Sequence, residues 1–97
     1  MPTYISLINW TDQGIRNIKD SPKRRDAAKK MLKEMGGEIK HMYLTLGSYD
    51  VVLVCEAPND EVFARFVLSV SSLGSIRTTT LKAFPEPEYD KIIEGLR

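Results

Sequence analysis

His41, Tyr43 and Asp50 are the side chains of this sequence whose chemistry and closeness suit proton transfer. An imidazole can act as a general base, and a phenol or carboxylate beside it can pass the proton on. Groups suited to holding a ligand surround them: Tyr43, Thr45 and Asp50 in one stretch, Arg77 and Thr78 in another. A guanidinium next to hydroxyls fits a carboxylate or phosphate, because its planar fork of N–H donors binds such anions bidentately. Tyr43 adds an aromatic surface, so the expected ligand is a small anionic or aromatic molecule. Each residue also has a structural role open to it. Asp50 can accept a hydroxyl or backbone hydrogen bond, with Thr45 opposite; Tyr43, Tyr4 and Trp10 can pack an interface; Arg77 can form a salt bridge, with Glu56 a candidate partner.

Other chemistries are poorly supplied. His41 is the only histidine and Cys55 the only cysteine, too few soft ligands for a structural zinc site, so no metal and no cofactor are expected. A single cysteine inside an apolar run allows no intramolecular disulfide, which fits a reducing compartment. Glycine-rich phosphate loops, nucleophile elbows and metal-binding helix motifs are absent. The net charge of +1 gives no global attraction to nucleic acid. Between Lys23 and Glu34 six basic residues face two acidic ones, a local charge of +4. That reads as a solvated helix face, because the apolar strand DVVLVCEA lacks the aromatic residues with which RNA-recognition sheets stack bases. Met1-Pro2-Thr3-Tyr4 has no basic and apolar leader, and the longest unbroken apolar run, Val51 to Cys55, is far short of a membrane span. A soluble cytoplasmic protein, without membrane or nucleic-acid partners, is expected.

The elements that must position these residues follow from periodicity. Ninety-seven residues make one domain, with a core over 3–84 and an extension over 85–97. Thr3 to Trp10 is rich in β-branched and aromatic residues and predicts a strand. Ser21-Pro22 opens a helix carrying Ala27, Ala28, Met31, Leu32 and Met35 at helical spacing, and Gly36-Gly37 ends it. Glu38 to Leu46 and Asp50 to Ala57 predict two strands. Asn59 or Asp60 caps a second helix with Phe63, Phe66, Val67 and Val70 on one stripe. Ile76 to Phe84 predicts a fourth strand, stopped by Pro85-Glu86-Pro87. Tyr89, Ile92, Ile93 and Leu96 mark a final short helix. The order is β-α-β-β-α-β plus a C-terminal helix: an α+β, ferredoxin-like domain with both main helices on one face of a four-stranded antiparallel sheet.

Leu46-Gly47-Ser48-Tyr49 fits a two-residue type II′ hairpin, which sets Leu46 opposite Tyr49, Leu44 opposite Val51 and His41 opposite Val54. Met42, Leu44, Leu46, Tyr49, Val51 and Leu53 then face the helices. His41, Tyr43, Thr45, Asp50, Val52 and Val54 face the other way. Ile5 and Leu7 lie on one side of the first strand, with Tyr4, Ile8 and Trp10 on the other. Two central strands with two apolar faces need cover on both, and the chain has helices for only one. A second copy of the same sheet is the expected cover, giving a homodimer or higher homo-oligomer.

TLGSYDVVLVCEAPNDE, followed by SLGSIRTTTLKAF, resembles the GYD domain family of small bacterial and archaeal proteins. Gly47, Tyr49 and Asp50 match the residues that name the family. The resemblance extends over Asp12-Gln13-Gly14-Ile15-Arg16, the helix around Arg24, Gly36-Gly37, Leu73-Gly74 and Arg77-Thr78. It implies a dimeric α/β barrel, and it brings no established reaction.

With no nucleophile–base pair assembled in the sequence, the reading is a homo-oligomeric small-molecule-binding or regulatory module with a cleft between facing sheets. The alternatives are a small enzyme of the dimeric α/β-barrel type, monooxygenase-like, isomerase-like or haem-dependent, working through His41, Tyr43 or Asp50, and a purely structural subunit.

Overall fold

In the computed structural model, which describes residues 1–97, alternation within Thr3–Trp10 (β1) buries Tyr4, Ser6 and Ile8 on one side of a sheet. Two elements lead out of β1. Asp12–Arg16 (α1) is capped by the Thr11 hydroxyl, which accepts the Gly14 N–H, and a 3-10 turn at Ile18–Asp20 follows. Ser21–Glu34 (α2) has Ser21 as its first helical residue, and Asp20 at its cap makes no side-chain cap bond. Glu38–Leu44 (β2), Val51–Glu56 (β3), Asp60–Ser71 (α3) and Ile76–Ala83 (β4) complete the βαββαβ order. Asn59 is the cap of α3, accepting the Val62 N–H at 2.9 Å.

The strands form one antiparallel sheet in the order β2-β3-β1-β4, so the first and third strands are central, as the topology requires. Both main helices cover one face. The core cluster of Tyr4, Leu32, Cys55, Ala57, Phe63 and Phe66 sits between them and the sheet. Tyr4 and Phe63 stack at 4.3 Å, and Phe63 meets Phe66 at 5.6 Å. Within α2, Arg25 pairs with its neighbour Asp26 at 3.1 Å.

The hairpin departs from expectation at its tip. Leu44 pairs with Val51, Tyr43 with Val52, Met42 with Leu53 and His41 with Val54, as the alternation predicts. Pairing then stops. No backbone bond joins Tyr49 N–H to the Leu46 carbonyl, and residues 45–50 form a wider loop closed by Thr45 N–H to the Asp50 carbonyl at 2.9 Å. Leu46 is 99% exposed and does not pack on the helices. Gly47, at φ 134°, takes a backbone angle other residues rarely adopt. At the far end of β2, Lys40 is an extra residue between the pairs Ile39–Cys55 and His41–Val54. This bulge lets both Ile39 and Met42 face the helices despite their odd spacing.

Glu86–Glu94 (α4) follows β4 and buries none of its residues. Its stripe of Tyr89, Ile92 and Ile93 is exposed, as is Leu96 just beyond its end. The radius of gyration is 14.6 Å and the longest dimension 51 Å. A compact chain of this length would have a radius of about 12.5 Å, and the projecting helix accounts for the excess.

Candidate functional site

Three neighbourhoods contain the residues singled out by the sequence. The first is the loop 45–50, whose Gly-Ser-Tyr-Asp stretch proves to be a clasp on the end of β1. Ladder pairing between β1 and β3 ends at Ile8–Val51, which leaves the last residues of β1 without partners on that side. Asp50 supplies them. Its N–H donates to the Ile8 carbonyl at 2.8 Å, and its carboxylate accepts the Trp10 N–H at 3.0 Å. Asn9 Nδ2 donates to the Ser48 carbonyl at 2.9 Å. The Thr45 hydroxyl donates to the Tyr49 carbonyl at 2.6 Å, so it turns away from the Asp50 carboxylate that hairpin register alone would set opposite it.

The second neighbourhood is the sheet face without helices. Ile5, Leu7, Val52 and Val54 are half-buried along its centre. His41 and Tyr43 lie at its β2 edge with rings 6.3 Å apart, and Leu81 lies on β4 opposite Ile5. Tyr43 is 55% and Leu81 47% exposed, and nothing in the chain covers them. Arg77 pairs across the ladder with Asn9 and so belongs to this face. Glu56 sits at the other end of the sheet and pairs with Lys40 at 3.8 Å, so the suggested Arg77–Glu56 bridge does not form. No side-chain hydrogen bond links His41, Tyr43 and Asp50, and the His41 ring stacks beside that of Tyr43.

The third neighbourhood lies beneath the helices. Half of the helix-covered face is filled by the aromatic core. The other half, over Ile8, Trp10 and Ile76, holds a cavity of about 180 Å³. The cause is side-chain size: α2 presents Ala27, Ala28 and Ser21 above a floor that includes Ser6, and α3 presents Val67 and Val70. Thr78 lines this cavity, so it faces away from Arg77. Trp10 lines it too, and Tyr4 stacks within the core, so neither belongs to the open face with Tyr43. Ser6, Thr80 and Thr78 form a hydroxyl row, with oxygens 3.1 and 3.2 Å apart. The sequence carried a signal for this place: Ser6 is a small polar residue between the inward-facing Tyr4 and Ile8.

Two groups have displaced proton affinities in the core, and a third sits at its edge. Burial pushes the Cys55 thiol up to about 12, which keeps it protonated and unreactive. Burial, then the hydrogen bond to Asp60, pushes the Tyr4 phenol up to about 12. Tyr4 Oη donates to Asp60 at 2.5 Å, and Lys82 lies 3.0 Å from the same carboxylate. The Tyr4 hydrogen bond, then that from Lys82, holds the Asp60 carboxyl below its usual range.

Topology, two-sided sheet and clasped first strand define a ferredoxin-like α+β domain with one sheet face left open. Residues 4–93 match the GYD domain. The chain belongs to the GYD domain family. A relative from Thermus thermophilus, named glutamine synthetase and cystathionine beta-lyase binding protein, is 36% identical over 86 residues, covering 88% of this chain and 90% of the relative. The crystal structure of TTHA0845, from the same organism, is similar with a TM-score of 0.56 and 26% identity, covering 87% of this chain and 94% of that one. The structure of FFRP-DM1, 21% identical with a TM-score of 0.58 over 87% of this chain and all of that one, shares the fold. No helix is long and apolar enough to cross a membrane.

Proposed function

We propose that this chain is a non-catalytic regulatory module that assembles through its open sheet face and, once assembled, binds other proteins. The observation that carries the proposal is the uncovered apolar face. Ile5, Leu7, Val52 and Val54 form a continuous patch on the two central strands, flanked by Tyr43 and Leu81. Water contact with such a patch is unfavourable by about 25 cal/mol per Å², and a second copy of the same surface removes it by two-fold symmetry. Closing two sheets in this way sets His41, Tyr43 and Arg77 at the rim of the inter-sheet cleft, where a small anionic or aromatic ligand would meet them. The name of the Thermus relative supports binding of metabolic enzymes, and glutamine synthetase is therefore the first partner to try.

Light scattering at several concentrations tests the assembly. A dimer or higher oligomer is expected for the wild type, and Val54→Asp should yield monomers with native circular dichroism. An unchanged mass for Val54→Asp refutes face-to-face assembly. Titration of the wild-type oligomer against the host's glutamine synthetase tests the partner, and an absence of binding at micromolar concentrations removes that part of the proposal.

A further inference from the structure

The cavity between the sheet and the two main helices lies on the opposite side of the sheet from the assembly face, and the proposed function makes no use of it. Its volume of about 180 Å³ is lined chiefly by apolar side chains, among them Ile8, Met31 and Val70. A dry apolar cavity of about 150 Å³ is large enough to take benzene. The polar features are few and specific. Arg24 lines the cavity from α2, and its guanidinium is already positioned: Nη1 donates to the Asn17 carbonyl at 2.9 Å and Nη2 to the Gly14 carbonyl at 3.4 Å. A guanidinium has five N–H donors, so three remain. Neighbouring Arg25 is paired with Asp26, whereas no carboxylate pairs with Arg24. At the floor, Ser6 and Thr78 line the cavity and each contacts the hydroxyl of Thr80, which lies outside the lining; when Thr80 donates to one of them, that residue's own proton is free for an oxygen of an occupant.

An apolar chamber with an uncompensated, pre-positioned guanidinium recognises a molecule that is apolar over most of its surface and anionic at one end. We propose that this cavity is a binding site for a small apolar carboxylic acid, one ring or a short chain in size, with Arg24 holding the carboxylate. A charge-assisted bidentate pair distinguishes the acid from a neutral molecule of the same shape.

Trp10 is the only tryptophan of the chain and lines the cavity, so its fluorescence reports occupancy directly. The experiment titrates the native oligomer with phenylacetate and, separately, with the neutral 2-phenylethanol. Phenylacetate should change Trp10 emission saturably in the millimolar range or below and bind about tenfold more tightly than the alcohol. Arg24→Gln should remove that preference while leaving the alcohol's affinity unchanged. Ala28→Phe, which fills the chamber, should abolish both responses with the melting temperature retained; this variant leaves the contacts of Arg24 to α1 in place. Equal affinity for acid and alcohol, binding that survives Ala28→Phe, or no response at millimolar phenylacetate would each overturn the proposal. So would binding seen only after residues 86–97 are deleted, because the chamber would then be a seat for the C-terminal helix. None of these outcomes bears on the sheet-face assembly, whose own test is the mass of Val54→Asp.

Discussion

Replacing Asp50 by alanine removes the only side chain that satisfies the Trp10 N–H at the end of β1. A hydrogen bond to a charged acceptor contributes about 1.5–3 kcal/mol where water cannot substitute. Both Asp50 and Trp10 are half-buried, so water recovers part of the loss and about 1–2 kcal/mol remains. The backbone bonds of Asp50 to Ile8 and from Thr45 survive the substitution, which keeps the effect local. In a domain of this size each kcal/mol lowers the melting temperature by about 4–8 °C, so Asp50→Ala should melt about 5–15 °C below the wild type at equal protein concentration. Asp50→Asn keeps an oxygen acceptor without the charge and should lose less than half as much. Hydrogen exchange locates the effect, since the Trp10 amide should exchange faster in Asp50→Ala by about five- to thirty-fold. Unchanged melting and unchanged Trp10 exchange, combined with lost binding, would refute the clasp and make Asp50 a ligand-binding or acid–base residue.

Other perturbations test the packing around it. Gly14→Ala would bring a methyl group to 2.0 Å from the Ser75 carbonyl oxygen, a backbone atom, so thermal melting should show destabilisation by about 1–3 kcal/mol as α1 is displaced. Cys55 is fully buried with its thiol pushed up to about 12, so alkylation of native protein at about pH 8 should proceed only as fast as unfolding; rapid labelling would mean the core opens locally. The Tyr4 phenol is raised above its unfolded value of about 10, so its contribution is complete below that pH and is lost as pH rises toward about 12. Urea titrations should therefore show wild-type stability falling over that interval more steeply than that of Tyr4→Phe, and parallel curves would remove Tyr4 as the cause.

What can be read in advance depends on whether the determining contact is local. The order of elements follows from periodicity, and the pairs from His41–Val54 to Leu44–Val51 follow from alternation along adjacent strands. The tip of that hairpin escapes the turn rules because its geometry answers to β1. Asp50 reaches Trp10 across a separation of 40 residues, and no turn rule contains that bond. Parity along β1 is legible, but both sides are apolar, so Tyr4 and Trp10 give no sign of which side meets the helices. Thr78 and Arg77 are neighbours in sequence and lie on opposite faces for the same reason of parity. The cavity is hidden because an apolar pattern records polarity and omits volume: Ala27 and Ala28 occupy helical positions that a larger residue would fill.

The position of β1 between β3 and β4 has a consequence for how the chain is made. β1 is synthesised before the other three strands, yet its neighbours come from residues 51–56 and 76–83. At about 5–20 residues per second, the growing chain carries this apolar strand without its full set of neighbours for roughly 4–16 s before β4 is complete. Throughout that interval Ile5 and Leu7 on one side, and Tyr4 and Ile8 on the other, have no complete sheet to enter. The strand that ends between two neighbours in the sheet is thus the one that waits longest for them during synthesis.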